Sequence, residues 1–250
     1  MSLDLNSILK DWDHESGAIK VRKIIGLDGK EKLQLRIDLG VLQMEMQGRP
    51  DGVRPHNCES LLTWHQQRAA RAEEKGQDYA LSSEQVTELQ QEGIQYYHRY
   101  LSLFQINEFA NVVRDTQRNL DLFNFVAEHT EREELSWSMQ QFRPYVLMMN
   151  TRAKASILLS QGKFAEAMLQ IQYGRDAISD FFQRSSFPEL AAKSSEIAFL
   201  DEWLEEVKLK RPLSRLEVLE REMESAIASE LYEKAAELRD AIRTLKTRAH

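Results

Sequence analysis

The sequence predicts a mainly helical α+β protein. It reads as a bundle of helical hairpins with a small antiparallel sheet at the N-terminus and one more helical hairpin at the C-terminus. Apolar and polar residues alternate between residues 19 and 46, the period of a half-buried strand. From residue 57 onward apolar residues recur every three or four positions, the period of an amphipathic helix. In that helical stretch one pattern appears at 107–113, 162–168 and 230–236: an aromatic just after a short turn, then a small or β-branched residue three positions on.

Leu5, Ile8, Leu9 and Trp12 share the face of an expected first helix. Ile19, Val21 and Ile25 then alternate as a strand. In the next run Leu33, Leu35, Ile37 and Leu39 oppose Gln34, Arg36 and Asp38, and Leu42, Met44 and Met46 continue the pattern. Asp28-Gly29 is expected to be a two-residue hairpin turn, which requires positive φ at both positions. A sheet this small needs cover over its apolar face.

Residues 48–60 are rich in Gly and Pro and predict a loop, with Asn57 capping the helix after it. Ser82 and Gln85 form a capping box for a helix to about residue 105, striped by Val86, Leu89, Tyr97, Leu101 and Phe104. Asn107 opens the next, with Val113, Leu120, Phe123 and Ala127 inward. The pattern from 131 to 160 should break just before Pro144, because proline cannot continue a helix. Gln161-Gly162 ends it, and further helices are expected over 163–183, 188–210, 213–228 and from 230 to the tail. Three regions follow: 1–56, 57–210 and 213–250.

The helix-turn-helix grammar resembles the tetratricopeptide repeat. Gly162, Phe164 and Ala167 fall at that family's turn glycine, second-helix aromatic and second-helix alanine. Thr151 stands where its first-helix aromatic belongs, and Gly174 where a late alanine belongs. The spacing between copies, about 55 residues, departs from the usual 34 or so. The resemblance implies a tetratricopeptide-like bundle; an irregular helical bundle stays open as the other reading.

The C-terminal hairpin carries a denser pattern. Leu216, Leu219, Met223, Ala226 and Ile227 stripe its first helix; Leu231, Ala235, Leu238, Ile242 and Leu245 stripe its second. Ala235 and Ala236 remove bulk, so another backbone could approach, and Tyr232 is expected to lie across the turn beside Met223. This stretch resembles the UVR motif, the helical hairpin shared by the B and C subunits of bacterial nucleotide excision repair. Tyr232, Glu233, Ala235 and Ala236 match the family's F-E-x-A-A segment with Tyr for Phe. Leu238, Arg239, Asp240, Ile242 and Leu245 match its L-R-D-x-I-x-x-L ending. The resemblance implies protein–protein contact through Met223, Leu231, Tyr232, Ala235, Ala236, Leu238, Arg239 and Ile242. The covering surface would be the protein's own bundle, a second copy, or another protein.

Elsewhere chemistry is sparse. Net charge is −7, which disfavours broad phosphate binding. A single cysteine, Cys58, allows no intrachain disulfide. His56, Cys58 and His65 lie close in sequence but lack a paired ligand cluster, and no third group marks a Cys–His nucleophile. No metal and no cofactor is expected. Lys20, Arg22, Lys23, Lys30 and Lys32 gather basic charge on the sheet without the aromatics of an RNA-reading surface. No apolar run reaches the roughly 20 residues of a membrane span, and the N-terminus lacks a signal-peptide pattern.

The sequence therefore predicts a cytoplasmic bacterial protein that is not an enzyme, an interaction scaffold or adaptor associating with itself or a partner through the hairpin. The rival is a DNA-repair accessory factor touching phosphate through the sheet lysines and Arg22. An enzyme built on the 48–58 loop ranks last.

Overall fold

The structure, a computed structural model, describes residues 4–185, 187–213 and 215–248. Ser214, inside the expected C-terminal hairpin, lies outside the described residues, as do 249 and 250 of its second arm. The chain divides into two compact units, Met1–Leu204 and Glu205–His250.

The first unit begins with a short helix, α1 (Asn6–Leu9). Its predicted apolar face is not a core: Leu5 and Ile8 are exposed, since one turn of helix has little surface to bury. Strands β1 (Val21–Ile25), β2 (Glu31–Ile37) and β3 (Gly40–Glu45) form an antiparallel sheet in that order. Leu33 pairs with Met44 and Leu35 with Leu42, and Leu33, Leu35 and Met44 are buried.

Two expected features shift. Asp28-Gly29 is not a two-residue turn: Gly29 alone takes positive φ (74°), and the loop closes through Gly26 N–H donating to Lys30 O at 2.8 Å. The longer loop lets Leu27 and Asp28 avoid the left-handed region. Leu39 falls in the turn after β2 and is exposed, so it drops out of the apolar stripe. Gln34 is buried on the opposite face, taking a bond from Arg22 Nε (2.8 Å) and giving one to Gln43 (2.9 Å).

Helix α2 (Leu61–Glu73) is capped by Ser60, not Asn57. Ser60 is extended and its hydroxyl accepts from Thr63 N–H, whereas Asn57 sits left-handed in a 3-10 turn and cannot aim its side chain at the first turn. The Ser82–Gln85 capping box is present on α3 (Ser83–Gln105). Then follow α4 (Phe109–Glu128), α5 (Glu133–Gln140), α6 (Arg143–Ser160) and α7 (Phe164–Arg184). The break before Pro144 is there, with proline in the first turn of α6, where its missing N–H has no intrahelical partner to lose. The expected helix from Pro188 is a 3-10 segment, Pro188–Lys193, before α8 (Ser195–Lys210).

α3 packs on α4, α4 on α6, and α6 on α7. Leu89, Leu122, Val126 and Met139 are among the fully enclosed side chains of this core. Several faces are rotated from the periodicity. On α3 the enclosed aromatics are Tyr96 and Tyr100, while Tyr97, Leu101 and Phe104 are half-buried. Ala127 of α4 is exposed.

The rotation brings charge inside. Arg99, 1% exposed, grips Asp115 with two bonds (2.7 and 2.8 Å) and donates to Glu45 O and Gly48 O at 3.0 and 2.8 Å. Glu92 accepts from Leu61 N–H (2.8 Å) and Leu62 N–H (3.2 Å) at the start of α2, and pairs with Arg49 and Arg118. Because unpaired buried charge is strongly unfavourable, these networks tie the sheet's exit loop and α2 to the α3–α4 hairpin.

The second unit holds the end of α8, then α9 (Arg215–Ala228) and α10 (Tyr232–Arg248), which pack as a hairpin. No described helix is long and apolar enough to cross a membrane.

Candidate functional site

The α9–α10 hairpin turns on three residues, Ser229, Glu230 and Leu231. Glu230 is left-handed, φ 58°. Its N–H donates to Ile227 O (3.0 Å), and Leu231 N–H reaches back to Ala226 O (2.8 Å), a Schellman ending that satisfies the last carbonyls of α9. The same pair of bonds closes α3, through Asn107 (φ 61°), and α6, through Gly162 (φ 73°). In each case an aromatic follows the left-handed residue by two positions: Phe109, Phe164 and Tyr232. Three further on come Val112, Ala167 and Ala235, all buried. The repeated spacing in the sequence is thus one turn geometry used three times.

The surroundings differ. Phe109 and Phe164 are half-buried among their neighbours, Phe109 edge-on to Phe104 with centroids 5.3 Å apart. Tyr232 is 68% exposed and does not fill a gap beside Met223. Leu231 (54%) and Ile227 (50%) are exposed with it, making an apolar patch around the turn. Periodicity places Ile227 inside the α9 stripe, and the structure does not. Leu219 and Ala226 already occupy the α9 face that meets α10, and the residue next to Ala226 on a helix points about 100° away.

The residues implied by the motif therefore split. Ala235 and Ile242 are buried within the hairpin; Met223 and Leu238 are half-buried. Leu231, Tyr232, Ala236 and Arg239 face solvent, with Arg239 beside Asp240 at 3.3 Å.

Residues 214–248 match the family model described as UvrB/uvrC motif. No curated protein and no solved structure matches the chain. The chain carries a UVR motif, and it spans both arms of this hairpin.

The basic residues of the sheet do not form one face. Arg22 and Lys32 project from one side and Lys23 from the other, as strand alternation dictates, while Lys20 and Lys30 lie outside the strands. Most have partners. Lys23 pairs with Glu108, Lys32 with Glu45 and Asp28, and Lys20 with Glu15. Arg22 donates to Gln34 and Ile8 O and stacks over Trp12 at 4.0 Å. The Lys23–Glu108 contact favours both charged forms: the Glu108 hydrogen bond holds Lys23 above the usual lysine range, and Lys23 in turn lowers Glu108.

The histidines near Cys58 are also engaged. His56 stacks on Trp64 at 4.0 Å. His65 is enclosed, with Nδ1 2.6 Å from the Tyr79 hydroxyl. Burial, then the nearby Arg68 and His56, lower its pKa to about 4. Cys58 Sγ lies 3.7 Å from Gln67 Oε1. Among the described residues no cluster of three His, Cys, Asp or Glu could hold a metal ion.

Proposed function

We propose that this chain is a non-enzymatic interaction scaffold whose C-terminal hairpin pairs with a second hairpin through the Ile227–Leu231–Tyr232 patch. The observation that carries the reading is the exposure of Tyr232. Three such turns carry an aromatic two positions on, and that aromatic is left largely uncovered only in the hairpin that matches the UVR motif. A two-helix hairpin has little core of its own, and a compact apolar patch ringed by charge is a usual docking surface.

Charge favours a second copy as the partner. Toward the turn Glu222, Glu224, Glu230, Glu233 and Glu237 outnumber Arg221 and Lys234. Toward the other end Arg215, Arg239, Arg243 and Lys246 outnumber Glu217, Glu220 and Asp240, with Arg239, Arg243 and Lys246 partly neutralised by Asp240 and Glu220. Two hairpins laid antiparallel would set the acidic end of each on the basic end of the other, complementarity that directs register more than it adds affinity.

Sedimentation of the intact protein tests this. We expect a concentration-dependent dimer that Tyr232→Ala with Leu231→Ser disperses. An unchanged monomer in both proteins, with no partner retained by the wild-type hairpin alone in a pull-down, would refute the reading. No specific observation favours nucleic-acid contact, since the sheet cations are largely paired and face different ways.

A further inference from the structure

A cavity of about 440 Å³ opens in the first unit between α3, α4, α5 and α6. Tyr97 and Tyr100 of α3, Phe123 of α4, Met139 of α5 and Tyr145 of α6 line it, with Ile94 partly exposed at its rim. Its volume is that of an ordinary small-molecule site. None of the described lining residues is Asp, Glu, Lys or Arg. His98, also in the lining, is pushed toward its neutral form by burial.

Tyr100 is 1% exposed, and its hydroxyl has no hydrogen-bond partner among the described residues. The hydroxyl is not among the fully enclosed side-chain atoms that lack a partner, so the little surface Tyr100 keeps leaves room for one hydrogen-bond acceptor, and a buried polar group favours having one. Here the open space beside it is the cavity itself. The Tyr97 ring stands edge-on to Tyr100 with centroids 5.5 Å apart and lies 6.2 Å from Tyr145, so the wall at this end is aromatic.

We propose that this cavity binds a neutral, largely apolar small molecule that presents a hydrogen-bond acceptor, such as a carbonyl, to the Tyr100 hydroxyl. The apolar walls supply the binding energy and exclude charged ligands, which would lose hydration without gaining a counter-ion. The hydroxyl sets orientation. Burial raises Tyr100 and Tyr145 above the usual phenol range, so both stay protonated as donors at neutral pH.

The test uses the full chain and two ligands of one shape, benzophenone with a carbonyl and diphenylmethane without. Each competes with the fluorescent probe N-phenyl-1-naphthylamine. Wild type should bind the probe and release it to both. Tyr100→Phe should weaken benzophenone about tenfold, the worth of one neutral hydrogen bond, and leave diphenylmethane within about twofold. Ile94→Trp, at the exposed rim, should weaken both ligands without lowering the melting temperature. Failure of either ligand to displace the probe from wild type, or probe binding indifferent to Ile94→Trp, overturns the site. Equal responses of the two ligands to Tyr100→Phe overturn the acceptor.

Discussion

Gly174 of α7 lies against Thr151 of α6 so closely that a Cβ on the glycine would fall 2.0 Å from Thr151 Oγ1 and 2.4 Å from its Cγ2. These are the two positions at which the sequence departs from the tetratricopeptide pattern. The departures are paired: a β-branched residue on one helix is accommodated by a missing side chain on the next.

Gly174→Ala should therefore destabilise despite alanine's better helix propensity. Overpacking of this kind costs about 1–3 kcal/mol, against a propensity gain of about 1. Thr151→Ala in the same chain should recover part of the loss, because its Cβ, 2.6 Å from the new methyl, still crowds it. A double-mutant cycle by urea denaturation measures the coupling. Additive effects would show that the two helices re-seat independently.

Asp115→Asn leaves Arg99 as a buried cation without its carboxylate. Breaking one side of a buried pair costs roughly 3–5 kcal/mol, and Arg99 also holds the Glu45 and Gly48 carbonyls. We expect a large drop in the urea midpoint and early hydrogen exchange in residues 45–48. A change below about 0.5 kcal/mol, the usual range for surface sites, would mean that the pair is not enclosed.

His65 gives the first unit a defined acid sensitivity. Its folded pKa is about 4, below the ordinary 6.5, so between those values the unfolded chain binds the proton and the folded one does not. Stability is full above about pH 6.5, falls as pH drops toward about 4, and levels off below. Across that window each pH unit removes about 1.4 kcal/mol, a total of order 3 kcal/mol. His65→Gln should flatten this part of the pH–stability curve; a slope equal to wild type would assign the sensitivity elsewhere.

The adjacent alanines of the hairpin separate folding from association. Ala235 is buried between α9 and α10, and Ala236 is exposed. Ala235→Arg should lose helical signal from the hairpin. Ala236→Arg should keep that signal, and if the partner's backbone approaches there it should weaken association by about 1–3 kcal/mol, as at an interface anchor. Circular dichroism and sedimentation read the two separately.

Glu230→Gly should stabilise the hairpin. The left-handed conformation costs a non-glycine residue about 1–2 kcal/mol, and the equivalent positions hold Asn107 and Gly162. Slower hydrogen exchange at the Glu230 and Leu231 amides of the full chain is expected; faster exchange would mean that the Glu230 side chain makes a stabilising contact of its own.

Local chemistry made much of this protein legible in sequence. The capping box at Ser82, the break at Pro144, the small antiparallel sheet and the three aromatic turns all depend on groups within a few residues of one another. The UVR hairpin belongs here too, because its pattern is dense over a short span. Packing decided the rest. Nothing in the spacing of α3 could tell that Glu92 and Arg99 lie inside, since their partners, Asp115, Arg118 and the start of α2, come from other helices and a loop. Nor could spacing choose between Ser60 and Asn57 as a cap, or leave Tyr232 uncovered where Phe109 and Phe164 are half-buried. Periodicity reports that a helix has an apolar side; only its neighbours determine how far round that side is covered.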